Sequence, residues 1–106
     1  MTVKEFLATT IKSRKNPRLI IQENRPRLLC NDGFSISVQA SKFHYCRPRL
    51  DGAQDYEAVE LGYPSMEDEL INEYAEDDWN YTETVYGYVP IEVVEKLIEK
   101  HGGIKI

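Results

Sequence analysis

The stretch Asn31-Asp32-Gly33 followed by Phe34-Ser35-Ile36-Ser37-Val38-Gln39 constrains the fold of this chain more than any other. Asn, Asp and Gly tolerate the positive φ of a tight turn, and the residues after them alternate apolar with polar. Phe34, Ile36 and Val38 therefore share one face of a strand. A strand with one apolar face needs a partner beside it and a packed layer beneath it. Residues 27–30 (RLLC) are predicted as the hairpin partner, with the turn between.

The flanking sequence supplies the layer. Thr2-Val3-Lys4-Glu5 reads as a capping box, and Val3, Phe6, Leu7 and Ile11 follow at helical spacing. This predicts a first helix of about three turns, ending before Asn16-Pro17 because the residue ahead of a proline is pushed out of the helical region. Residues 18–22 (RLIIQ), 56–61 (YEAVEL) and 84–89 (TVYGYV) read as further strands, with Pro26 confined to a connection or a sheet edge. Ser65 with Asp68 three residues on, then Met66, Leu70, Ile71 and Tyr74, predicts a second helix. A last helix starts at Pro90, buries Ile91, Val94, Leu97 and Ile98, and stops at Gly102-Gly103, with Lys100 and His101 at its negative end. The order α-β-β-β-β-α-β-α predicts an α+β fold, an antiparallel or mixed sheet of about four to five strands packed with three helices.

A chain of 106 residues has room for one hydrophobic core, so a single domain over residues 1–106 is expected. No run approaches the roughly 18 apolar residues of a membrane span. The opening residues carry no export signal, which predicts a cytoplasmic protein. In that compartment thiols stay reduced, which weighs against a disulfide between Cys30 and Cys46.

The net charge of -5 conceals two opposed halves. Residues 1–50 hold ten Lys/Arg against three acids, whereas residues 51–106 hold fifteen acids against three lysines. Either the halves neutralise one another internally, or one field faces a partner.

Three groups of residues are candidates for function. Cys30, His44 and Cys46 are soft or borderline ligands that would suit zinc if the hairpin brought them together, with Asp32, His101 or water as the fourth donor. No CxxC pair is present, and buried inert thiols account equally for two cysteines. The acidic segment offers Glu69, Glu73 and Glu76, which a helix would stack on one face, continued by Asp77, Asp78 and Trp79. Such a surface suits a basic groove, with carboxylates where phosphates would lie and an aromatic anchor. The alternative is an ordinary solvated face. The basic set Lys12, Arg14, Lys15, Arg18, Arg25, Arg27, Arg47 and Arg49 could hold a phosphate backbone, but no recognition-helix, KH or RRM signature accompanies it, and direct nucleic-acid binding is not expected. No nucleophile elbow, phosphate loop or HExxH motif is present, so a non-enzymatic protein is expected.

The stretches "CNDGFSISVQASKFHYCRPR", "YEAVELGYPS" and "TVYGYVPIEVVEKLIEKHGGI" together resemble small proteins carried by phages and prophages of Gram-positive bacteria. The chain is similar to the type II-A anti-CRISPR inhibitors of Cas9 within that group. The resemblance implies a non-catalytic protein that binds Cas9, or another host nucleic-acid-binding effector, and blocks DNA loading or cleavage. It also implies a structural zinc ion, carried over to Cys30, His44 and Cys46. The alternatives are a zinc-stabilised phage adaptor of unknown partner and a nucleic-acid-binding protein that uses its basic N-terminal half.

Overall fold

The predicted turn closes through Cys30 and its neighbours. In the computed structural model, which describes residues 1–15 and 21–106, Cys30 N–H donates to Phe34 O at 2.8 Å and Gly33 N–H to Cys30 O at 3.1 Å. Gly33 takes φ 97°, a value that a side chain would strain. The turn joins β3 (Leu28–Leu29) to β4 (Ser35–Gln39) in the register Leu28 opposite Ile36. Strands β5 (Ala58–Gly62) and β6 (Val85–Pro90) complete a four-stranded antiparallel sheet of order β3-β4-β5-β6. A separate two-stranded ribbon pairs β1 (Lys12–Lys15) with β2 (Ile21–Asn24).

Helices α1 (Val3–Thr9) and α2 (Ile91–Lys100) provide the second layer. The capping box forms as predicted, with Thr2 Oγ1 and Glu5 each accepting the other's backbone N–H. Val3, Phe6 and Leu7 from α1 and Val94, Leu97 and Ile98 from α2 meet Ile36, Val38, Val59, Leu61, Tyr86 and Val89 of the sheet in one continuous apolar cluster. The α+β class is as expected. Gly102 and Gly103 end α2 at φ 90° and 85°.

Three predicted elements differ. First, α1 stops at Thr9, and Ile11 lies outside the core, 37% exposed. The hydroxyls of Thr9 and Thr10 bond back to Glu5 O (2.7 Å) and Phe6 O (2.5 Å), competition with the backbone that favours an early end. The predicted stop at Asn16-Pro17 and most of the strand at residues 18–22 lie outside the described residues. Second, β1 follows α1 where no strand was expected. Third, no α-helix forms over residues 65–74; only a single 3-10 turn, Asn72–Tyr74, is present. The two residues read as its cap are engaged elsewhere. Ser65 pairs with β4, its N–H donating to Ser35 O (2.8 Å) and its Oγ accepting Ser35 N–H (3.0 Å). Asp68 is drawn into the interior, as described below.

The segment after the 3-10 turn covers the free edge of β6. Ala75 bridges to Tyr86, and Glu76 N–H donates to Val85 O at 2.9 Å. Farther along, Tyr88 N–H donates to Tyr45 O at 3.0 Å. Covering an edge in this way removes a template for unwanted pairing. Among the described residues, no helix is long and apolar enough to cross a membrane.

Candidate functional site

The predicted metal ligands are separated by the length of a strand. Cys30 lies beside the turn and bridges to Ile104. The Cys46 thiol lies within hydrogen-bond reach of Ser41 O (3.1 Å) and Pro48 O (3.3 Å), past the other end of β4. Five residues at about 3.3 Å each stand between these two places. Residues 44–46 are irregular instead of extended, so His44 and Cys46 do not present the same strand face. The His44 ring instead pairs Nδ1 with Ser41 Oγ at 2.6 Å. Among the described residues, no three His, Cys, Asp or Glu side chains form a group able to hold a metal ion. Residues 16–20, outside that set, carry no such side chain. Both thiols are free and buried. Burial pushes Cys30 up to about 11, with the nearby Asp32 charge adding to it. Burial also raises Cys46. Burial and the charge of Arg25 hold His44 below its ordinary value. Protonated thiols and a neutral imidazole are the expected state of core residues.

Asp32 and His101, named as possible fourth ligands, do meet, and Asp68 joins them. His101 Nδ1 lies 2.7 Å from Asp32 Oδ2, and Nε2 lies 3.0 Å from Asp68 Oδ2. Lys100 Nζ sits 3.1 Å from Asp68. Asp68 has almost no exposed side chain, only 3%. Burial pushes its carboxyl up, but the Leu70 N–H, His101 and Lys100 together outweigh this and hold it below 3.8. For Asp32, the Phe34 N–H first and then His101 lower the value. His101 and Asp68 are buried, while the side chains of Asp32 and Lys100 are about half exposed. The group clamps the end of α2 to the turn at residues 31–33 and to residue 68. The sequence carried only the local signal, a cation at the end of a helix; that Asp68 lies 33 positions away could not be read from it.

The acidic segment remains at the surface. Glu69, Glu73, Glu76, Asp77, Asp78 and Trp79 are all exposed. Without a helix, the three glutamates do not stack on one helical face as the spacing implied. They follow an irregular path that ends in a loop over residues 76–84. The loop is built from Asx turns: Asp77 Oδ1 accepts Trp79 N–H at 2.9 Å, and Asn80 Oδ1 accepts Thr82 N–H at 3.2 Å. Its base is tied by Asp77 N–H to Thr84 Oγ1 (3.2 Å) and by the Tyr86 hydroxyl donating to Tyr81 O. Trp79 stands out from it, 93% exposed.

Among the described residues, no ion pair joins the opposed charges there. Among the described residues, the ion pairs join Lys4 to Asp55, Lys42 to Asp51 and Lys100 to Asp68, and the His101 ring lies against Asp32 and Asp68. None involves the acidic loop. Several arginines face backbone instead. Arg25 donates to Leu7 O and Ala40 O, and Arg27 to Ser35 O and Tyr63 O. Arg49 lies 5.5 Å over the Tyr45 ring. Arg18 lies outside the described residues. Near the loop, Glu60 is raised by its burial, eased by the Tyr45 N–H and raised further by the Glu76 charge.

No protein-family model, curated protein or solved structure matches the chain.

Proposed function

We propose that the protein is a non-catalytic binding protein that docks on a basic, nucleic-acid-binding surface of an effector. The observation that carries this reading is Trp79, 93% exposed on a loop tied at its base and flanked by Asp77 and Asp78. An indole held in water has unrealised apolar contact, and tryptophan is among the residues that most often dominate an interface. Glu73, Glu76, Asp77 and Asp78 lack ion-pair partners among the described residues, so their field reaches a positively charged partner. Together they occupy the place that phosphates would take in the partner's groove, while Trp79 fixes the register.

The resemblance to anti-CRISPR inhibitors names Cas9 as the first partner to test. In a DNA-cleavage assay, the protein at molar excess is expected to suppress cleavage when added before DNA. Undiminished cleavage rejects Cas9 as the partner. Binding of the wild-type protein but not of Trp79→Ala to an immobilised basic nucleic-acid-binding protein would still uphold the docking surface. Equal binding of the two removes Trp79 from it.

A further inference from the structure

We propose that a cleft between α1 and the loop at residues 52–56 binds a small carboxylate with a short apolar body, held by the guanidinium of Arg25. The cleft encloses about 250 Å³. Leu7, Ala8 and Ile11 form one wall, and Ala53 and the ring of Tyr56 the other. Arg25 lies at its inner side, only 5% exposed, and Lys4 also lines it. None of the lining residues is an acid.

The chemistry follows from how Arg25 is held. Its Nε donates to Leu7 O at 2.8 Å and its Nη1 to Ala40 O at 2.6 Å. The Gln39 side chain grips its backbone, accepting Arg25 N–H and donating to Arg25 O, both at 2.8 Å. A guanidinium carries five N–H donors in a fixed fork. Nη2 has no protein partner among the described residues, and the interior leaves no N–H of Arg25 sealed and unsatisfied. Arg25 lines the cleft, and its remaining donors are not sealed in the interior. No carboxylate among the described residues pairs with Arg25. A buried cation without a counter-ion is costly, and an entering anion removes that cost. The two oxygens of a carboxylate match the fork, and Leu7, Ala8, Ile11 and Ala53 offer apolar wall to a short body attached to it. At about 30 Å³ for each water-sized unit, the volume suits a ligand of roughly eight heavy atoms. Lys4 adds a second positive charge, shared with Asp55, to which it bonds at 3.0 Å.

This site is independent of the acidic loop and is tested without it. Hexanoate serves as the probe and 1-hexanol as its neutral counterpart, each titrated into ¹⁵N-labelled protein. Hexanoate is expected to produce saturable shifts of the Ala8, Gly52 and Ala53 amides, with hexanol at least about tenfold weaker. Absence of saturable shifts at tens of millimolar hexanoate overturns the proposal, and so does equal binding of hexanol. Arg25→Met is expected to abolish the preference, but the bonds to Leu7 and Ala40 make that variant prone to unfold. Ala8→Trp is the second variant: it fills the cleft from an exposed helix position and leaves Arg25 in place. It is expected to retain a dispersed spectrum and to lose the hexanoate shifts at Gly52 and Ala53. Undiminished shifts in this variant overturn the assignment of the cleft.

Discussion

His101 stacks face to face on Phe34, with ring centroids 4.0 Å apart and planes 10° from parallel. The same ring directs both nitrogens at carboxylate oxygens of Asp32 and Asp68. The residue is thus at once part of the apolar layer and a hydrogen-bond partner of an interior carboxylate.

Replacing His101 by Phe separates these roles. The stacked ring remains, while Asp68 loses a hydrogen-bond partner in the interior and retains Lys100 and the Leu70 N–H. Removing one partner of a buried hydrogen-bonded carboxylate in this way is expected to cost about 1–3 kcal/mol. Lys100→Ala removes a half-exposed partner from the same carboxylate and is expected to cost under about 1 kcal/mol. Urea denaturation measures both. A Phe variant as stable as wild type would reduce His101 to packing alone.

Acid sensitivity follows from the same carboxylate. Asp68 is held below its ordinary 3.8 in the folded protein. A depressed acid stabilises the fold fully above its unfolded value and loses that contribution as pH falls through its folded value. Asp32 is shifted in the same direction. Glu60 acts oppositely: it is raised above its ordinary 4.5, so protonating it favours the folded state. The urea midpoint is therefore expected to fall below about pH 4, with a shallower fall in Asp68→Asn. An Asp68→Asn profile that parallels wild type would remove this residue as the source.

What was legible in the sequence was what local chemistry decides. The turn at residues 31–33, the alternation through Val38, the Thr2–Glu5 cap and the termination of α2 at Gly102 depend on neighbours within a few positions, and all appear as read. Residues 65–74 carry an equally good local helix pattern, yet Ser65 and Asp68 find partners at Ser35, Lys100 and His101. Tertiary bonds outweighed a propensity worth only tenths of a kcal/mol per residue. Lys12–Lys15 shows the converse: a polar stretch with no strand signal becomes one by pairing with Ile21–Asn24. Charge left open whether the acidic segment would be neutralised internally or exposed, and the separation of Cys30 from His44 and Cys46 depends on β4 running between them.

That separation predicts thiol and metal behaviour. With Cys30 pushed up to about 11 and Cys46 raised by burial, both should react with a disulfide reagent only as the protein unfolds. The modification rate is expected to track the unfolded population in urea, and overnight EDTA is expected to leave the urea midpoint unchanged. A lower midpoint in EDTA, restored by added zinc, would show that the cysteines and His44 reach a metal in solution. Cys30→Ala, which removes a buried sulfur, should cost about 1–2 kcal/mol.

Trp79 is the only tryptophan of the chain, so its fluorescence reports the proposed docking face directly. Standing 93% exposed, it should emit at the long wavelength of a hydrated indole and be fully accessible to a soluble quencher. Trp79→Ala removes no interior contact and is expected to change stability by less than about 0.5 kcal/mol. Binding is a different matter: truncating a central aromatic anchor typically costs about 2 kcal/mol or more, roughly thirtyfold in Kd. Glu73→Lys with Glu76→Lys should weaken association mainly through its rate and flatten its dependence on salt, because exposed charges steer encounter and are screened beyond about 8 Å at physiological ionic strength. Stopped-flow fluorescence across a salt series distinguishes the two effects. A blue shift on partner binding with lost affinity in Trp79→Ala supports the anchor, whereas an unshifted, fully quenchable indole in the complex places the contact elsewhere on the protein.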